Sequence, residues 1–314
     1  ARHRHESFEF LLVGDETQIK SALDKHPNLR AASEILHSDI VVTPDDKVSA
    51  ALRKAKTSSM GMAINAVKSG DASAAVSGGN TGALMATAKL ALRTMPGIDR
   101  PALSALLPTL EDTDVVMLDL GANTECEAKN LVQFAIMGAA YSRIIFGFDR
   151  PRVRLLNIGT EEMKGTESLR DAAQHLRDAS GLHMDFQGFV EADKINRGEC
   201  DVVVCDGFTG NIALKSIEGT ARFVTDLLRR AFTSSIRSKF GFLVSRPATE
   251  LLRHHLDPNN HNGAVFMGLN GVVVKSHGSA NIKGVAHAVE VAARLVEEDI
   301  TARITQDLAR VQAG

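Results

Sequence analysis

The stretch "CDVVVCDGFTGNIALKSIEG", residues 200–219, decides the fold. An apolar β-branched run at 202–205 stops at Asp206-Gly207, and a helical pattern takes over at once. Such a run suits a buried strand in a sheet covered by helices. Asn211 and Lys215 stand four residues apart in the first turns of the helix, so they share one face. The carboxyl end of a strand is also where open α/β sheets bind ligands. The stretch is therefore either a capped helix with a solvated lysine or a loop that holds an anion.

Working outward, short β-branched runs alternate with longer helical patterns. Strands are predicted at 8–13, 34–42, 74–77, 102–107, 115–120, 153–158, 186–191, 202–205 and 272–275. Helices are predicted at 16–26, 46–69, 80–95, 125–146, 161–179, 208–235 and 281–312. This alternation specifies an α/β fold with a largely parallel sheet and helices on both faces. A chain of 314 residues can bury a large core, and it is read as a single domain over 1–314. The segment 236–270, with Gly241, Pro247, Pro258 and "NNHNG", reads as an irregular, mobile arm. The opening "HRHESFEFLLVGD" (3–15) reads as a helix tail entering a strand, so a first strand is expected ahead of it.

Composition narrows the function. A net charge of -2 gives no general attraction for nucleic acid. One Tyr and no Trp leave little for base stacking. The cysteines, Cys126, Cys200 and Cys205, form no CxxC pair and no zinc-ligand spacing, and they suit a reducing, cytoplasmic setting. Gln133 and Arg143 interrupt the longest apolar stretch, 131–148, which reads as a buried helix.

Five strand ends share one chemistry: "VSGGNTG" (76–82), "LDLGANT" (118–124), "NIGTEEMKG" (157–165), "CDGFTGN" (205–211) and "KSHGSAN" (275–281). Glycine lets the backbone approach a ligand, and the N–H groups that open the next helix attract anions. A parallel sheet would line all five along one edge. The sequence lacks GxGxxG and GxxxxGK[ST], so the expected ligand is a small anion held by several separate loops. Candidate residues are Gly78, Gly79, Asn80, Thr81, Gly82, Asp119, Asn123, Lys164, Asp206, Gly207, Gly210, Asn211, Lys215, His277 and Ser279. The plain alternatives stay open: Asn80, Asn123 and Asn211 as N-caps, the lysines as solvated, the aspartates as loop partners, and His277 as a packed residue. Cys205, inside a strand, reads as a core thiol.

In order, "SGGNTGALMA", "DLGAN", "IGTEEMKG", "DGFTGNIALKSIEG" and "KSHGSAN" resemble the acyl-[acyl carrier protein]:phosphate acyltransferases of bacterial phospholipid synthesis, over about residues 10–297. The resemblance implies an α/β/α sandwich similar to isocitrate and isopropylmalate dehydrogenases and phosphotransacetylase, in a homodimer. It implies a catalytic domain that moves a fatty acyl group from acyl carrier protein to inorganic phosphate, without a cofactor or metal. That family opens with a strand and an Asp-Ala-Met-Gly-Gly-Asp loop, neither of which is found here.

For this reaction the expected catalytic residues are Lys164, Asn211, Lys215 and His277. Asn80, Ser279 and the loop glycines, with Thr81, Asp119, Asn123 and Asp206, would form the substrate pocket. Acyl carrier protein is acidic, so Arg229, Arg230, Arg237, Lys239, Arg246 and Arg253, around apolar "FGFLV" (240–244), form an expected docking surface. The same pattern suits peripheral membrane contact. Two rival readings are a nicotinamide- and metal-dependent decarboxylating dehydrogenase and a non-catalytic scaffold for lipid enzymes.

Overall fold

The computed structural model describes residues 8–43, 46 and 48–313. The predicted helix tail at the start of the chain lies largely outside the described residues. The elements run β1 (Phe10–Gly14), α1 (Glu16–Leu23), α2 (Pro27–Ala31), β2 (Ser33–His37), α3 (Val48–Arg53), α4 (Ser59–Ser69), β3 (Ala74–Ser77), α5 (Thr81–Leu92), β4 (Ala102–Leu107) and β5 (Val115–Leu118). They continue α6 (Ala128–Phe146), β6 (Arg152–Leu156), α7 (Glu167–Asp178), β7 (Asp185–Val190), β8 (Val202–Val204), α8 (Gly207–Thr233), α9 (Ile236–Val244), α10 (Arg246–His255), β9 (Ala264–Met267), β10 (Val272–Lys275), α11 (Ile282–Glu297) and α12 (Ile300–Ala313).

Eight strands form the main sheet in the order β3-β10-β9-β4-β5-β8-β6-β7, while β1 and β2 pair in a small parallel sheet of their own. The strands alternate their side chains between two cores. Val116, Leu118, Val202 and Val204 face α6, α7, α11 and α12. Val115, Met117, Val203 and Cys205 face α4, α5 and the first turns of α8. Three layers result, helix over sheet over helix, and the fold is mixed α/β with a mostly parallel sheet.

The sheet's polarity corrects the expectation of one shared edge. Strands β5, β8, β6 and β7 run parallel, but β4 is antiparallel to β5, β9 to β4, and β10 to β9. Thus β3 and β10, parallel to each other, point opposite to β5, β8 and β6. Connection length explains two of the three reversals, β4 to β5 and β9 to β10. Seven residues separate β4 from β5 and four separate β9 from β10. A parallel crossover needs a dozen or more.

Other differences are local. Ser58 caps a new helix inside predicted 46–69, and its Oγ accepts from Gly61 N. Asp299, with φ 45°, separates α11 from α12 within predicted 281–312. The arm at 236–270 is built of regular elements: α9 packs on α8, α10 on α9, and β9 closes it.

Candidate active site

The carboxyl ends of β5, β8 and β6 lie side by side, because Leu118 pairs with Val204 and Val204 with Leu155. Their loops, 119–124, 206–211 and 157–165, form one cluster. The loops after β3 and β10 form a second at the opposite edge, where Ser276 N–H donates to Ser77 O at 2.9 Å. Within this chain the residues of 78–82, His277 and Ser279 are therefore not neighbours of Asn211, Lys164 and Lys215. The single pocket expected from five loops becomes two clusters.

Asp119 organises the first cluster. It is fully buried, and it accepts from Leu103, Gly121, Ala122 and Asn123 backbone N–H groups and from Asn123 Nδ2. Burial pushes its carboxyl up against those stabilising bonds. Asn123, also buried, spends its other amide proton on Pro101 O at 2.7 Å. The hydrogen bonds of both side chains go to the loop itself and to the backbone beside it, so their observed part is to build the loop.

The first turn of α8 is wedged against this loop. Gly207 N–H donates to Asn123 O at 2.7 Å and Gly210 N–H to Asp206 O at 2.9 Å, so neither is left for an anion. The two glycines serve close approach instead. A β-carbon on Gly210 would lie 1.9 Å from Asp119 O, and one on Gly207 would lie 2.6 Å from Asn123 O.

Asp206 is the N-cap of α8, accepting from Thr209 N–H at 2.8 Å and from its hydroxyl at 2.7 Å. The opening alternative is thereby decided for Asn211: it does not cap. Its exposed side chain lies over Gly121, where a β-carbon would meet Asn211 Nδ2 at 2.8 Å. One turn on, exposed Lys215 pairs with Glu218 at 2.9 Å. In the neighbouring loop, buried Asn157 holds the backbone by donating to Lys164 O at 3.1 Å, leaving Lys164 exposed.

At the other edge Asn80 caps α5, accepting from Ala83 N–H at 2.9 Å. Gly79 N–H donates to Ser77 Oγ at 3.2 Å. His277 Nδ1 lies 2.8 Å from Ser279 Oγ, and its backbone N–H is held by buried Asn262. Beside them lie three features that motif reading missed. Lys275 ends β10 with its ammonium pushed down by burial. His261 Nδ1 meets Asp114 at 2.7 Å. Asn262 also ties Ser276 to Gly284. Two of them immediately precede β9 and the third pairs with its Ala264, and the sequence reading passed over that strand's short run. Near the first cluster Cys126 was missed too; burial pushes its thiol up to about 12. Cys205 is a buried core thiol, as expected, with Sγ 3.4 Å from Asp119 O.

The six basic residues from Arg229 to Arg253 are all exposed on the arm, with Arg246 paired to Glu250 at 2.7 Å. No helix among the described residues is long and apolar enough to cross a membrane.

Residues 1–303 match the family model described as fatty acid synthesis protein. A phosphate acyltransferase of Erythrobacter litoralis is 76% identical over 311 residues, covering 99% of this chain and 88% of that protein. One from Parvibaculum lavamentivorans is 53% identical, covering 98% and 85%. This chain belongs to the phosphate acyltransferase family. It is an acyltransferase, and the resemblance read from its five motifs holds over nearly its full length. Among solved structures it is similar to a phosphotransacetylase from Streptococcus pyogenes, with TM-score 0.54, 17% identity and coverage of 92% and 94%. A branched-chain phosphotransacylase from Enterococcus faecalis gives TM-score 0.54 at 15% identity, covering 92% and 99%. These likenesses concern the fold, which is that of the phosphotransacetylases rather than specifically of the isocitrate dehydrogenases expected beside them.

Proposed function

We propose that this chain transfers a fatty acyl group from the thioester of acyl carrier protein to inorganic phosphate, at the cluster formed by β5, β8 and β6. The observation that carries the placement is Asn211 lying over Gly121, beside Lys215 and in the row of strand ends that includes Lys164. A phosphate oxygen attacks the thioester carbonyl carbon, the C–S bond breaks, and the thiolate leaves. A thiol of pKa about 8.5 needs no strong acid to depart.

The protein's task is to hold a dianion against the carbonyl. Fixing two reactants is worth as much as about 7–11 kcal/mol. Each donor aimed at the developing oxyanion adds about 3 kcal/mol. Asn211 Nδ2 is the donor, and Lys164 and Lys215 neutralise the phosphate. Lys215 is readily recruited: an exposed ion pair such as the one with Glu218 is worth only about 0–1 kcal/mol. The second cluster, with His277 and Ser279, stands apart from this chemistry in one chain.

Docking of the acidic carrier falls to the arm, where Arg229, Arg230, Arg237, Lys239 and Arg253 surround exposed Phe240, Leu243 and Val244. That many apolar side chains in water also favours a homodimer built through α8–α10. Asn211→Ala and Lys215→Ala, each assayed for acyl phosphate, should lose at least about 100-fold in kcat with folding intact. Near-normal turnover in both would remove the site from this edge of the sheet.

A further inference from the structure

Four large apolar side chains stand in water around the first cluster: Ile158 is 79% exposed, Met163 84%, Phe208 61% and Ile212 53%. They come from the same two segments that carry Lys164 and Asn211. On α8 the arrangement is ordered. Gly210 and the half-buried Ala213, Leu214 and Ile217 turn toward the core. Asn211 and Lys215 form one exposed row, and Phe208 and Ile212 form the row directly beside it, since residues four apart stack on a helix face. Phe223, 65% exposed, and Leu227, 55% exposed, lie on the same side further along.

A polar row flanked by an apolar row matches an acyl thioester, whose reacting carbonyl is polar and whose chain is not. From Phe208 to Phe223 is about 22 Å along the helix. A membrane-length acyl chain, half a hydrocarbon core, needs about 15 Å. We propose that Phe208 and Ile212, with Ile158 and Met163 from the loop after the adjacent strand β6, form the platform for the alkyl chain of the acyl donor and set its chain-length preference. The proposal rests on the reading of acyl transfer at this cluster.

Each methylene that leaves water is worth about fourfold in affinity, so the platform acts on long donors and leaves short ones alone. The test compares butyryl and palmitoyl donors on the same carrier protein, using the full chain and the double variant Phe208→Ser, Ile212→Ser. Met163→Ser supplies an independent change from the other loop. The expected result is a loss of about 50-fold in kcat/KM for the palmitoyl donor, with butyryl transfer within about threefold of the parent. Retained butyryl turnover also reports that the variant folds. Equal losses for both donors would overturn the platform. So would a loss that tracks dissociation of the oligomer in light scattering at the assay concentration, because the apolar row would then be a subunit interface. If the parent forms no acyl phosphate from either donor, the reading of the reaction fails and the platform with it.

Discussion

Asp119 shows how much one buried carboxylate can organise. Its two oxygens accept five hydrogen bonds, four from backbone N–H groups, and these fix the loop on which the first turn of α8 rests. Asp119→Asn turns an amide NH2, which cannot accept, toward donors and leaves at least one of them buried without a partner. A loss of about 3 kcal/mol in denaturant-measured stability is expected, with the phosphate KM raised as the loop loosens. Lys275 carries the opposite problem, a cation at the end of a buried strand with its proton held less tightly than in water. The folded state binds this proton less tightly than the unfolded chain does. The cost is therefore full at neutral pH and is relieved as pH rises through the folded value toward the ordinary 10.5. Lys275→Met should be at least as stable as the parent at pH 7, and its advantage should shrink by pH 10. Thermal unfolding at the two pH values checks both the sign and the trend.

At the scale of the element, the first turn of α8 is defined by what it lacks. Gly210→Ala would place a methyl group 1.9 Å from a backbone oxygen, which neither side can relieve by rotating a side chain. Overpacking of this kind costs about 1–3 kcal/mol or more, and here it also pushes Asn211 off Gly121. The variant should lose turnover more steeply than stability, read by acyl phosphate assay against denaturation. Elements of this sort were legible where the signal was local. The strands at 74–77, 102–107 and 272–275 have the predicted ends, because each is a compact apolar run. The Asp206 cap was written in the sequence as well, but Asn211 competed for the role until the distances to Thr209 assigned it. Strand β9 was missed because four residues after "NNHNG" carry little pattern of their own. Helix α7 starts only at its Thr166 cap, after Gly165 at φ 87°, rather than at 161.

On the scale of the whole molecule, the family was legible and the direction of the strands was not. Five motifs in order suffice for membership, whereas strand direction depends on which distant strand each one pairs with. The short gaps at 108–114 and 268–271 held the missing information, since neither spans a parallel crossover. The arm makes a further prediction. Reversing charge with Arg237→Glu and Lys239→Glu should raise the KM for acyl carrier protein about tenfold, with kcat for a small thioester unchanged. Unchanged KM and unchanged liposome binding would remove both roles from the arm. Helix α8 joins arm and site in one rod of 27 residues, about 40 Å long, held to the core through Ala213, Leu214 and Ile217 in its first three turns. Taken as a lever pivoting at Gly207, it carries Asn211 about 6 Å from the fulcrum and the far end about 39 Å from it. A 3 Å swing of the tip then displaces the Asn211 backbone by about 0.5 Å, within the tolerance of the donor proposed there. The leverage runs outward, so traffic at the tip of the arm has little mechanical purchase on the amide at its base.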